Sequence, residues 1–268
     1  MIVKPRRNVV IPTHFGMMMV NRFDFNVQEK FDGVGSHLLN RGTDNLDSMW
    51  LLSNYLRDKQ NPVIIDVGAN IGAFTVQLSQ MIEGIGGFVY AFEPQRQIYY
   101  MFCGNLAMNN VDNVCAELMA VGNSNTPITV PKINYYQPSS FGSVGLTGEF
   151  DDVGQDLDFG NGEKIPQIIL DEYFKDVENI AFLKVDVEGM ELDVLKGGEQ
   201  LIKKYKPVMY VEFYKQHDGA KELRDYITSL GYSIYTLDIN YICIPSDKDG
   251  TTEFEFLNTE PQVKKYDD

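Results

Sequence analysis

In a chain of 268 residues, a formal charge of −15 argues against the basic face that a phosphate backbone or an anionic membrane surface requires, so both are disfavoured as partners. Its 44% hydrophobic and 12% aromatic content suffices for one large domain with extensions. Cys103, Cys115 and Cys243 show no metal-type spacing and read as buried free thiols of a reducing, cytoplasmic compartment. Lys4, Arg6 and Arg7 are not followed by an apolar segment as long as a signal peptide's, and no run approaches the ~20 apolar residues of a membrane helix, so neither a signal peptide nor a span is expected.

Residues 1–45 show no long period. They hold two short apolar runs, Asn8–Pro12 and Met17–Asn21, and turn glycines at 33, 35 and 42, and read as a cap packed on a main domain over 46–245. Asp47–Leu56 is helical by the spacing of Met49, Leu52 and Leu56, with Trp50, the single tryptophan, expected in the core. Val63-Ile64-Ile65 is too short for a helix and reads as a strand buried on both faces. It continues through Asp66-Val67-Gly68-Ala69-Asn70-Ile71-Gly72 into a helix marked by Phe74, Leu78, Met81 and Ile82. Such a turn is expected to offer unpaired N–H groups at the helix start, and close backbone approach at Gly68 and Gly72, which lack a Cβ. A second strand, Gly87–Phe92, closes on Glu93, 25 residues after Gly68, where nucleotide-binding α/β folds grip ribose hydroxyls.

Residues 96–109 form the next helix, with Asn105 and Asn109 on one face. Val114–Val121 reads as a third strand whose end, at Val121, faces a bound adenine. Pro127–Pro131 reads as an edge strand. The stretch 132–164 has no regular pattern, and connections this long are usually functional or mobile. Within it, 135–143 is aromatic and turn-rich and reads as a substrate-side wall or lid, with Tyr135, Phe141 and Ser143 as candidate contacts. Residues 149–163 carry six acids and no base and read as a solvated loop. A fourth strand, Ile180–Val187, carries Asp186 at its end with Glu188 just beyond, and a fifth, Lys206–Phe213, carries Glu212. Helices over 190–195, 199–203 and 218–230 and a hairpin of 232–237 with 241–245 complete the domain; 246–268 reads as a loose acidic tail.

Alternating strands and helices imply a mostly parallel sheet that gathers Asp66, Gly68, Glu93, Val121, Asp186 and Glu212 along one rim. An NAD-dependent oxidoreductase or a non-catalytic nucleotide-binding module could use the same scaffold. Asn70, where a fuller G-x-G-x-x-G has its second glycine, counts against the first, and the carboxylates at the fourth and fifth strand ends count against the second.

Three segments carry a resemblance: Asp66-x-Gly68-Ala69-Asn70-Ile71-Gly72, then Phe92-Glu93-Pro94, then Leu183-Lys184-Val185-Asp186-Val187-Glu188-Gly189-x-Glu191. Their order and spacing resemble the FkbM family of S-adenosylmethionine-dependent methyltransferases. The resemblance implies a Rossmann-like class I methyltransferase fold: a mostly parallel seven-stranded sheet with an antiparallel C-terminal hairpin. It implies S-adenosylmethionine as cofactor, held by Asp66, Gly68, Asn70, Gly72, Glu93 and Val121, and methyl transfer, commonly to a hydroxyl. An alcohol acceptor must lose its proton, and Asp186, Glu188, Glu212 and His217 are the candidate groups. Three neighbouring carboxylates repel one another, so one should hold a proton or share a cation. A divalent metal is chemically possible, but no motif has a metal-ligand spacing, and a metal-free site is favoured. The acceptor expected is a sugar, a glycan or a related small polar molecule, whose hydroxyls need polar partners and whose ring faces stack on aromatics.

Overall fold

A computed structural model describes residues 6–25, 33–147, 155–213, 219–258 and 262–266. A hairpin of β1 (Asn8–Thr13) and β2 (Gly16–Asn21) leads to helices α1 (Val34–Arg41) and α2 (Leu46–Leu56). The α/β core begins with β3 (Val63–Val67), α3 (Ala73–Glu83), β4 (Phe88–Phe92), α4 (Arg96–Met108) and β5 (Val114–Glu117). A peripheral section follows: β6 (Ala120–Val121), β7 (Ile128–Lys132), β8 (Asp158–Ile165), β9 (Gln167–Ile168) and α5 (Leu170–Tyr173). The core resumes with β10 (Ile180–Val185), α6 (Glu191–Gly197), α7 (Glu199–Tyr205), β11 (Val208–Glu212), α8 (Gly219–Ser229), β12 (Tyr232–Leu237) and β13 (Asn240–Pro245), and β14 (Lys264–Lys265) closes the chain. Among the described residues, no helix is long and apolar enough to cross a membrane.

The main sheet runs β14-β12-β13-β11-β10-β3-β4-β5, eight strands among the described residues rather than the expected seven. The five from β11 to β5 are parallel, as expected for strand–helix–strand units. The hairpin does not simply add an antiparallel edge: β13 is inserted between β11 and β12 and runs against both. That position explains its composition. Tyr241, Ile242, Cys243 and Ile244 are all buried, because an internal strand is covered on both faces. The edge beyond it is β14, two exposed lysines, whose charge discourages pairing with another chain.

Three peripheral stretches differ from expectation. The third strand stops at Glu117, and Ala120–Val121 pairs instead with Gln167–Ile168 in a separate two-stranded sheet. The acidic stretch 149–163 is not all loop: Asp158–Ile165 is a strand paired with β7, and residues 148–154 lie outside the described residues. The stretch after Pro245 is not simply loose. Residues 252–258 form a 3-10 helix that buries Phe254 and Leu257, with the Phe254 ring stacked on Tyr55 at 5.6 Å. Of the thiols, only Cys243 is fully buried, and Trp50 is 41% exposed rather than packed in the core.

Two side chains explain how the N-terminal hairpin is held. Asn105 on α4 and Asn109 at its C-terminal cap, one turn apart, use their amides as surrogate peptide groups for the edge of β2. Asn109 accepts from Met17 N at 2.9 Å and donates to Met17 O at 2.8 Å. Asn105 accepts from Met19 N at 2.5 Å and donates to Met19 O at 3.1 Å. The Asn105 amide also reaches Ile71 O at 2.7 Å, so the hairpin, α4 and the glycine turn share one fully buried group.

Candidate functional site

A cavity of about 270 Å³ opens beyond the carboxyl ends of the parallel strands, with walls from the 33–45 segment, the turn after β3, the loops after β4 and β10 and the end of β11. Because β13 is antiparallel, it contributes its start: Ile239 and Asn240 face this cavity, and Asn240 is the register partner of Glu212.

The turn after β3 is built from inside. Gly68 has φ +85° and its N–H donates to Phe92 O at 3.0 Å; a Cβ there would lie 1.7 Å from Asp186 O. Ala69 N also donates to Phe92 O, at 2.9 Å, and Gly72 N to Ala69 O, at 2.9 Å. Asn70 N donates to Glu93 Oε2 at 2.9 Å, and Ile71 N to Asn70 Oδ1 at 2.8 Å. From Gly68 to Gly72, then, every backbone N–H of the turn is engaged within the protein. Gly68 and Asn70 line the cavity, whereas Gly72 (φ +82°) serves packing: a Cβ there would sit 2.3 Å from the Phe102 ring.

Asp66 lies beneath the turn, fully buried and away from the cavity. Its Oδ2 accepts from Thr75 Oγ1 at 2.6 Å, and its Oδ1 faces Lys184 Nζ at 3.4 Å. Lys184, also buried, donates to Gly68 O at 3.1 Å and pairs with Asp186 at 3.0 Å. Burial opposes its charge, but the Asp186 and Asp66 carboxylates outweigh that and hold the ammonium above its ordinary value.

Glu93 reaches the cavity wall with both oxygens bonded on their inner side, one to Asn70 N and one to Gln95 N at 2.7 Å. Burial pushes its carboxyl up from 4.5 to about 7, against those two N–H donors. Val121 lines the cavity from the small β6–β9 sheet rather than from the end of the third core strand.

Asp186, Glu188 and Glu212 meet on one wall, each with an oxygen within 4.8 Å of the others'. Burial, then the charges of Asp186 and Glu188, push the Glu212 carboxyl well above its ordinary range. Glu212 Oε2 is buried without a hydrogen-bond partner among the described residues. His217 lies outside the described residues.

Of the expected substrate contacts, only Ser143 lines the cavity. Tyr135 and Phe141 are buried behind the wall, ring centroids 5.0 Å apart. They are bound to it through Gln95, which accepts from Tyr135 Oη at 3.2 Å and donates to Phe141 O at 2.9 Å. Two further wall residues gave no motif signal. His37 Nδ1 lies 2.9 Å from Asp44 Oδ1, and both side chains line the cavity. They sit on a short helix and the turn after it, in a segment whose sequence shows no period.

The charge of the cavity is one-sided. Among the described lining residues stand five carboxyl side chains (Asp44, Glu93, Asp186, Glu188 and Glu212) against one lysine and no arginine.

The known proteins to which this chain is similar are methyltransferases. The chain is 32% identical over 164 residues to methyltransferase sdnD of Sordaria araneosa, covering 52% of this chain and 61% of that protein. It is 28% identical over 149 residues to methyltransferase 1 of Beauveria bassiana (strain ARSEF 2860), covering 50% and 57%. The match thus spans about 60% of the length of these relatives. Among solved structures, the methyltransferase FkbM of Methylobacillus flagellatus KT aligns with a TM-score of 0.46 and 22% identity, over 68% of this chain and 42% of that one. The methyltransferase FkbM domain model matches residues 66–234, from the aspartate under the glycine turn to the strand beyond α8, and by that match the chain belongs to the FkbM methyltransferase-domain family.

Proposed function

We propose that this chain transfers a methyl group from S-adenosylmethionine to a hydroxyl of a small polar acceptor, of the sugar or glycan class. The observation that carries the cofactor assignment is the charge of the cavity beside the glycine turn, five carboxyl side chains against one lysine. Such a wall repels the pyrophosphate of a dinucleotide. A sulfonium cofactor carries no phosphate, and its positive charge suits that wall. Bound there, S-adenosylmethionine supplies an electrophilic methyl group.

The protein's own part is positioning and proton handling. Gly68 lets the backbone come close, and Glu93 accepts from the ribose hydroxyls on the side its two N–H partners leave open. The acceptor oxygen must be held about 3–3.5 Å from the methyl carbon and in line with it. The acidic wall of Asp186, Glu188 and Glu212 faces the charge released when that hydroxyl loses its proton. Ser140, Ser143, Asn45, Asn240 and Tyr210 give the rest of the lining the mixed polar and aromatic character that suits a polyhydroxylated ligand. The test is incubation with labelled S-adenosylmethionine and a panel of glycosides, glycans and nucleotide sugars, with mass spectrometry of the products. Label on a hydroxyl oxygen supports the proposal. Label on an amine or carboxylate overturns the acceptor class, and no transfer or binding at all overturns the cofactor.

Glu93 makes the cofactor reading pH-dependent. Its folded carboxyl titrates near 7 against an ordinary 4.5, so the apo protein gains stability from its proton at low pH and loses it as the pH rises through 7. Ribose hydroxyls donate to the ionised form. Affinity for S-adenosylhomocysteine is therefore expected to rise between pH 6 and 8, by at most about tenfold per pH unit, and then level off. Calorimetry at three pH values checks this. In Glu93→Gln the binding should be weaker by about 1–3 kcal/mol and its pH slope lost. A flat profile in the unaltered protein would remove Glu93 from the cofactor site.

A further inference from the structure

We propose that Asp186, Glu188 and Glu212 form a binding site for a hard divalent cation of the Mg²⁺ or Mn²⁺ kind. The three come from the end of β11 and the loop that follows the adjacent β10, each offering a carboxylate oxygen, and these oxygens lie within 4.8 Å of one another. An ion that binds oxygen at about 2.1–2.5 Å spans ligand pairs roughly 3–5 Å apart, so little movement is needed to close the set.

Clustered acids alone would not make a site; Glu212 supplies the second observation. The residue is only 7% exposed, and its Oε2 is shut off from solvent with no hydrogen-bond partner among the described residues. Burying a bare carboxylate oxygen is costly unless something positive or donating meets it. Among the described residues, the side chains around it do not supply that partner. Asp186 and Glu188 are carboxylates, and the Lys184 ammonium is occupied by Gly68 O, Asp66 and Asp186. A proton shared with Asp186 relieves one oxygen only, whereas a cation between the three residues meets all of them. The acids also match the ion in kind: hard divalent cations take carboxylate oxygens, and three protein ligands leave positions for water or a substrate oxygen. On the methyl-transfer reading above, that oxygen is the acceptor hydroxyl, which the cation would orient and acidify.

The test is titration of the full chain with Mn²⁺ alone, without cofactor or acceptor, following free Mn²⁺ by electron paramagnetic resonance. One Mn²⁺ per chain is expected. Asp186→Asn and Glu212→Gln should each weaken it by about 100-fold or more, since even groups that only support a metal ligand are worth ~10–100-fold. Glu188→Gln, at a half-buried position, tests the same set without disturbing the core, and Glu163→Gln, on the exposed surface, should leave Mn²⁺ binding unchanged. Absence of Mn²⁺ binding, or equal binding by Glu188→Gln and the unaltered protein, overturns the site. S-adenosylhomocysteine calorimetry on the same samples reads the cofactor proposal separately: binding of it without Mn²⁺ overturns the cation site alone, and Mn²⁺ binding without it overturns the cofactor alone.

Discussion

Gly68→Ala is expected to abolish cofactor binding and to lower stability by about 2–5 kcal/mol, the sum of overpacking and of forcing alanine into a left-handed conformation. The new Cβ would stand 1.7 Å from Asp186 O and 2.8 Å from Asp186 C. Both are backbone atoms, so no side chain can rotate away. Relief requires the ends of β3 and β10 to separate, yet Asp186 N is bonded to Val67 O at 3.0 Å at that very point. The same opening displaces Gly68 O from Lys184 and moves Asp186 away from Glu212. Gly84→Ala is the matched control: its φ is −65° and nothing lies within 4 Å of the added carbon, so stability should hold or rise slightly. Denaturant unfolding and S-adenosylhomocysteine calorimetry of both variants check the pair. Undiminished affinity in Gly68→Ala would show that the turn does not touch the cofactor.

The elements that frame this turn were legible because burial wrote them into the sequence. Val63–Val67 and Ile180–Val185 are parallel strands covered on both faces, and both are apolar but for Asp66 and Lys184, which face each other. What failed to show was structure stabilised by something other than burial on a regular period. Strand β8 holds Asp158, Gly160, Asn161 and Glu163 because it is half of an exposed two-stranded ribbon, with no core face to enforce alternation. The helix after Thr251 rests on two buried side chains, Phe254 and Leu257, too few to stand out in an acidic stretch. Tyr135 and Phe141 look like a ligand-facing pair by composition, yet they fill the space behind the wall, where large aromatics most often go. At the site, the strand ends were readable from topology, since parallel strands deliver their carboxyl ends to one rim. The His37–Asp44 pair was not, because it depends on how an aperiodic segment folds over that rim.

Lys184→Met is expected to cost about 3–5 kcal/mol near pH 8, the usual penalty for removing one member of a buried ion pair. The methionine fills most of the lysine's volume and can keep its contact with Phe74, whose ring centre lies 5.5 Å from the ammonium. What is lost is charge. Asp66, fully buried, would keep only Thr75 Oγ1 on one oxygen, and Asp186 would lose its partner beside Glu212 and Glu188. Gly68 O would lose a donor as well. The sign of the pH dependence separates this account from simple loss of packing. An orphaned buried carboxylate takes up a proton, so the variant's folded state binds protons that its unfolded state releases. Its stability should therefore be greatest at low pH and fall as the pH rises, and the gap to the unaltered protein should narrow toward pH 5. Lys184→Met combined with Asp66→Asn should recover part of the loss at pH 8, because the amide needs no counter-charge and can still accept from Thr75. Denaturant unfolding at pH 5 and pH 8 for the three variants and the unaltered protein closes the cycle. A loss in Lys184→Met that is the same at both pH values would mean that lysine holds the turn by shape and its hydrogen bond to Gly68 O, and that the ion pairs beneath the glycine turn contribute little.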